Sequence, residues 1–190
     1  MINKKLNNDK LFKFADYFKL LFFWLYIFYP KAKKVHYLYL LVKFFPQKIL
    51  RINGKIPWPV HFTSKVLHYK NISLGVRSLP GNNIGGYIQA KNGIIIGSNF
   101  RMGPHVGLIS ADHDIDNYDQ WKSSKSIKIG DNVWIGMNSI VLSGVSIGNN
   151  VVIGANSTVT KNIPNNSIAV GSPCVVVKKK DLYKGKTYKD

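Results

Sequence analysis

The 190 residues have room for one domain and an extension, and 27 Lys and Arg against 9 Asp and Glu give a formal net charge of +18. That excess calls for an anionic partner, but no zinc-finger spacing, recognition-helix pattern or RNP-type signature accompanies it, so nucleic acid is excluded in favour of a membrane surface or an anionic ligand. A single cysteine, Cys174, excludes an intramolecular disulfide and fits a reducing compartment.

In chain order, residues 1–10 are polar, and from Leu11 to Tyr29 the chain becomes strongly aromatic. The uninterrupted apolar run covers only Leu20 to Tyr29 and ends at Pro30, because Lys13, Asp16 and Lys19 break the part before it. This is short of the roughly 20 residues needed to span a bilayer. No small-residue cleavage site follows, so a signal peptide is not expected. Residues 31–45, KAKKVHYLYLLVKFF, read as a second amphipathic helix with basic flanks. Two readings of residues 1–45 stand side by side. The helices either pack on the following domain or on other subunits, or lie at an anionic membrane interface with their lysines toward the headgroups. A transmembrane anchor is the third and weakest. Residues 46–65, with Pro46, Gly54, Pro57 and Pro59, are a transition.

The stretch from Ile129 to Ile163 repeats every six residues: IGDNVW, IGMNSI, VLSGVS, IGNNVV, IGANST, VTKNIP. An aliphatic residue opens each block (Ile129, Ile135, Val141, Ile147, Ile153, Val159), and the fifth place is small or aliphatic throughout. A period of six fits neither an amphipathic helix nor an alternating strand. It fits a solenoid in which each hexad forms one flat face and three hexads close a coil. Weaker coils precede it, with Val66, Ile72, Ile84, Ile96, Met102 and Leu108 in phase and Ser78 and Ala90 at intermediate openings. Between Leu108 and Ile129 the spacing is 21, so the phase is lost and regained, and an insertion of a few residues within ADHDIDNYDQWKSSKS must leave the coil as a loop. The expected organisation is a helical, basic and aromatic extension (1–60), a β-solenoid (61–178) with a loop at about 112–127, and a charged tail (179–190) without assigned structure.

VWIG around Trp134, VTKNIP and AVGSPCVVVK resemble the hexapeptide-repeat acyltransferases over roughly residues 66–178, and within them the O-acetyltransferases acting on sugars and surface polysaccharides. The resemblance implies a mainly β fold, a left-handed parallel β-helix, here with an α-helical N-terminal extension. Right-handed crossovers would be the general expectation. It further implies acetyl-CoA as co-substrate, no metal, a homotrimer with sites between subunits, and a cytoplasmic protein, peripheral on the inner face of the membrane if its extension binds lipid. By match to the family, His113 is the catalytic base; Asn83 and Trp134 bind the acceptor or wall the site; and Met137, Ala155, Thr160, Lys161 and Lys178 flank the coenzyme. Val175 replaces an Arg of the galactoside type, and Met137 is bulkier than its usual counterpart.

Chemistry supports the histidine independently. Acyl transfer to an alcohol needs a base, and imidazole titrates near neutrality, at roughly pH 6.5. His113 sits at the root of the inserted loop among Asp112, Asp114 and Asp116, with Tyr118 and Trp121 nearby either to stack on a sugar or to pin the loop. Asp112 is a weak choice to orient the imidazole, and a backbone N–H near Gly136 or Met137 is available to an oxyanion. Cys174 reads as a buried small residue rather than a nucleophile. The expected function is transfer of acetyl from acetyl-CoA to a sugar hydroxyl in cell-surface polysaccharide synthesis. N-acetylation of an amino sugar and a non-catalytic scaffold at a membrane remain as alternatives. A three-histidine metal site between subunits, of the γ-carbonic-anhydrase kind, is disfavoured, because His105 and His113 are eight apart and position 118 is Tyr.

Overall fold

A computed structural model describes residues 18–32 and 35–188. The polar start, the aromatic stretch before residue 18, Lys33, Lys34 and the last two residues lie outside it.

From Lys65 onward the chain winds as a three-sided, left-handed parallel β-helix. One face stacks Lys65–Leu67, Tyr87–Gln89, Gly107–Ile109, Ile140–Val141 and Thr158–Val159. A second stacks Ile72–Leu74, Ile94–Ile96, Ile127–Ile129 and Ser146–Ile147. The third carries Arg101–Met102, Trp134–Ile135, Val152–Ile153 and Ser167–Val170. All these pairings are parallel, and Val175–Lys179 returns antiparallel on the outer edge strand Ser167–Val170. The six hexad-opening aliphatics and the six fifth-position residues, Val133, Ser139, Val145, Val151, Ser157 and Ile163, are all buried. They stack in one continuous core because partners such as Ile135 and Ile153 lie 18 positions apart, three hexads to a coil.

Corners are turned by asparagines in the left-handed backbone region, among them Asn99, Asn132, Asn138, Asn150, Asn156 and Asn166. A short polar side chain tolerates that conformation. At one corner their amides also bond coil to coil, Asn99 to Asn132 (2.9 Å) and Asn150 to Asn166 (2.7 Å). Coils approach so closely that a Cβ added at Gly136 would lie 2.5 Å from the Ala155 nitrogen. Gly136→Ala therefore should cost about 1–3 kcal/mol by overpacking, read as a lower denaturation midpoint at unchanged slope.

The early coils are longer. Val66 pairs with Ile88, 22 positions on, and Ile88 with Leu108, 20 positions on. The strict phase expected there is corrected at Ile84, which is 45% exposed while Ile88 takes the inward place. Ser78 and Ala90 are buried as the phase requires. The insertion also exceeds a few residues. Met102 pairs with Ile135, 33 positions on, which adds 15 residues to the regular 18. They form a hairpin, Asp112–His113 antiparallel to Trp121–Lys122, and Ile127 is already back in the core.

The described part of the extension is a set of short pieces rather than two long helices. A 3-10 turn at Lys19–Phe22 precedes helix α1 (Leu25–Phe28), and after Pro30 comes helix α2 (Tyr37–Phe44), which runs into a π turn at Phe45–Ile49. Leu25, Tyr29, Ala32, Tyr37 and Leu40 bury against Ile56, Trp58, Val60 and Leu79 in a second core, with Val66, Ile72 and Leu74 of the first coil packed alongside. Gln47 is buried inside it, donating to the carbonyls of Asn53, Ile56 and Trp58 (2.9–3.3 Å) and accepting from the Val60 N–H (3.0 Å). Removing it by Gln47→Ala strands these groups and should cost about 1–3 kcal/mol, measured by chemical denaturation. Among the described residues no helix is long and apolar enough to cross a membrane.

The tail has structure that its charge does not announce. After Lys179 it climbs the asparagine corner from the last coil to the first. The Lys180 N–H donates to Asn166 (2.8 Å), Asn150 Nδ2 to the Asp181 carbonyl (2.8 Å), Asn99 Nδ2 to the Tyr183 hydroxyl (2.9 Å), and Arg77 to the Tyr188 hydroxyl.

Candidate active site

His113 stands on the first strand of the hairpin, exposed to solvent. Its Nδ1 lies 2.6 Å from the Tyr118 carbonyl oxygen. A carbonyl only accepts, so Nδ1 carries a proton, and in the neutral ring the lone pair is on Nε2. The ring rests on Trp121 with centroids 4.1 Å apart, and Lys91 Nζ lies 3.6 Å from the centroid of the same indole. The turn that delivers the Tyr118 carbonyl is shaped by Asp114, whose Oδ1 accepts from the N–H groups of Asp116 (2.8 Å) and Asn117 (3.1 Å). Asn92 and Ser124 tie the base of the loop to the coil, Asn92 Nδ2 donating to Ser124 Oγ (3.0 Å) and Ser124 Oγ to the Ser110 carbonyl (3.0 Å). Asp112 does not touch the imidazole in this arrangement; its carboxylate accepts from the Ser143 hydroxyl of the next coil. The acidic neighbours build the loop, while a backbone carbonyl sets the tautomer.

The remaining sequence-predicted residues are spread around the prism. Tyr118 reaches His113 through its carbonyl, and its side chain is exposed. Asn83 sits at another corner, its Nδ2 donating to the Met102 carbonyl and its own carbonyl accepting from Ser64 Oγ (2.6 Å). It lines a cleft of about 530 Å³ between α2 and the solenoid, with Arg77, Arg101, Tyr39 and Asn82. Trp134, 56% exposed, lies on the third face in a hollow of about 280 Å³ shared with Tyr183 and Lys180 of the tail. Met137 and Ala155 occupy one corner in successive coils, joined by the Asn156 N–H to the Met137 carbonyl (2.9 Å). Thr160 and Lys161 follow the first face in the last coil, exposed, and Lys178 is on Val175–Lys179. No single corner of one chain collects them. Of the two amides considered for an oxyanion, that of Gly136 donates to the Ile153 carbonyl (2.8 Å) and is taken up by the coil. Lys91, Trp121's contact with the imidazole, and the tail residues were not legible in advance as parts of these surroundings.

Cys174 is buried, and burial pushes its thiol up from the ordinary value, partly offset by a hydrogen bond with Ser157. His105 belongs to a different corner from His113, and among the described residues no group of three or more His, Cys, Asp or Glu is placed to hold a metal ion.

Residues 126–161 match the family model of the bacterial transferase hexapeptide (six repeats). The galactoside O-acetyltransferase of Lactococcus lactis is 42% identical over 122 residues, 63% of this chain and 58% of the relative. That of Escherichia coli is 40% identical over 130 residues, 66% of this chain and 61% of the relative. A solved structure of a galactoside acetyltransferase in complex with coenzyme A is 33% identical, covers 67% of this chain and 70% of its own, and superposes with a TM-score of 0.54. The chain belongs to the hexapeptide-repeat acetyltransferases. It spans about half the length of the curated relatives it matches.

Proposed function

We propose that this protein transfers an acetyl group from acetyl-CoA to a hydroxyl of a sugar, with His113 as general base, in the synthesis of a cell-surface polysaccharide. The observation that carries the reading is the His113 Nδ1 to Tyr118 carbonyl bond, which leaves Nε2 as a fixed proton acceptor on an exposed loop. Bound acetyl-CoA supplies an acetyl group activated as a thioester. Nε2 takes the acceptor's hydroxyl proton while the new C–O bond forms, and returns it to the sulfur as the C–S bond breaks. The Met137 N–H is the remaining choice to stabilise the oxyanion. Met137 and Ala155 offer an exposed shelf for the pantetheine arm, and Lys161 and Lys178 offer cations for phosphates, so the residues present fit an anionic nucleotide. Asn83 and Trp134 belong to the acceptor side, and the reaction runs on the cytoplasmic side, where acetyl-CoA is made.

The scatter of these residues over separate corners and faces supports a homotrimer in which one subunit's His113 loop faces its neighbour's wall. Mass in solution should correspond to three chains. A mixture of His113→Ala and Trp134→Ala subunits should regain part of the activity each lacks, because some interfaces then carry an intact pair. A stable active monomer, or no regain in exchanged trimers, would contradict the shared site. The product separates the remaining chemistry: an ester is cleaved by mild alkali and an amide is not, so an alkali-stable acetyl group would favour the amino-sugar alternative.

A further inference from the structure

We propose that the N-terminal extension is a docking face for an anionic lipid bilayer. The extension has two sides. Its inner side is spent on the second core, where Leu25, Tyr29 and Leu40 have no exposure. Its outer side presents Leu20 (89% exposed), Leu21, Phe23, Ile27 (72%), Val42 (73%) and Phe45 to solvent. The two halves of that side are one surface, because Phe44 of α2 makes edge contacts with Trp24 (4.9 Å) and with Phe28 of α1 (5.2 Å). An apolar surface of this extent on a folded chain marks something that covers it.

Charge identifies the occupant. Between Asp16 and Asp112 the sequence has thirteen Lys and Arg and no Asp or Glu. Lys31, Arg51 and Lys55, close in sequence to the outer-side residues, are exposed. A second copy docking through the same side would press two unneutralised cationic surfaces together, which costs free energy instead of gaining it. A nucleic acid would neutralise the charge but would leave aliphatic Leu20, Ile27 and Val42 without a partner, since strands are held by stacking and phosphate contacts. An anionic bilayer satisfies both demands: apolar side chains sit at the acyl boundary and cations meet the headgroups. Short helical pieces on either side of Pro30 suit a position in the interface, and among the described residues none is a spanning helix. Docking on lipid is independent of acetyl transfer and is read without an activity measurement.

The experiment is sedimentation of the full chain with vesicles of phosphatidylcholine alone and of phosphatidylcholine with phosphatidylglycerol. Retention should be at least tenfold greater on the anionic vesicles and should fall as salt rises. A Leu20→Asp/Ile27→Asp/Val42→Asp variant alters only exposed side chains and should keep the wild-type melting temperature while losing that retention. Absence of retention on anionic vesicles overturns the proposal, as does retention that salt leaves unchanged. A triple variant that binds as wild type, or one whose only change is dissociation of an oligomer, overturns it as well. The wild-type lipid comparison decides the matter even if the variant fails to fold.

Discussion

His113→Ala should lower acceptor-dependent release of thiol from acetyl-CoA by on the order of a hundredfold or more, the usual scale for loss of a positioned base. Nothing in the fold depends on this side chain. The ring is exposed, its partners are the Tyr118 carbonyl and the Trp121 face, and the loop turn is held separately by Asp114 and by Asn92 with Ser124. The melting temperature should therefore move little, and acetyl-CoA should raise it in the variant by as much as in the wild type. A fall in activity accompanied by lost ligand-induced stabilisation would mean that the substitution disturbed binding and not proton transfer. A distinct control is Trp121→Leu, which removes the surface behind the imidazole without touching either nitrogen. It should reduce activity less than His113→Ala, since the Tyr118 bond survives.

The largest effect on stability is expected at Trp58→Ala, about 3–5 kcal/mol for loss of a fully packed indole. Trp58 is the centre of the second core, 2% exposed among Leu25, Tyr29 and Leu40. Its Nε1 donates to the Pro80 carbonyl (2.9 Å), and its own carbonyl accepts from Gln47. The substitution opens a cavity and strands both the Pro80 acceptor and the extension that leans on it. Because the β-helix has its own continuous core, the damage should fall first on the extension. Limited proteolysis should then cut within residues 18–60 before the solenoid, and denaturant unfolding should show the loss directly. Unchanged protease resistance with an unchanged midpoint would mean that the second core does not hold the extension.

Much of the fold was legible because a β-helix writes its geometry into its sequence. Each hexad must place one aliphatic residue inward and a small or aliphatic residue four places later, so Ile129 to Ile163 could be read almost residue by residue. The early coils were less legible since a coil of 20 or 22 residues breaks the period, and Ile84 keeps the phase in sequence while the chain uses Ile88 in space. The insertion was located but underestimated for a related reason. Against a period of six, a gap of 21 reveals only its remainder of three, and the other twelve inserted residues are invisible as whole hexads. At the site, the histidine was found from its loop, its chemistry and its family match. The group that orients it was not, because a backbone carbonyl carries no residue signature. Lys91 reaches Trp121 from an earlier coil, a proximity that only the coil pitch creates. The charge of the tail predicts no particular structure, yet Tyr183 meets Asn99 across 84 positions and Tyr188 meets Arg77 across 111. In the extension, apolar content forecast helices, but Pro30 opens a separate 3-10 turn, α2 gives way to a π turn that contains Pro46, and the second core selects which side turns inward.

The most direct measurement is thiol release from acetyl-CoA by the wild-type protein across a panel of oligosaccharides, sugar nucleotides and lipid-linked sugars, with the acetylated product identified by mass. Acetyl transfer to a sugar hydroxyl requires release that depends on an acceptor, a product carrying one alkali-labile acetyl ester, and loss of both in His113→Ala. Acetyl-CoA that is neither consumed with any acceptor nor able to shift the protein's melting curve would contradict it, and a non-catalytic solenoid would take its place.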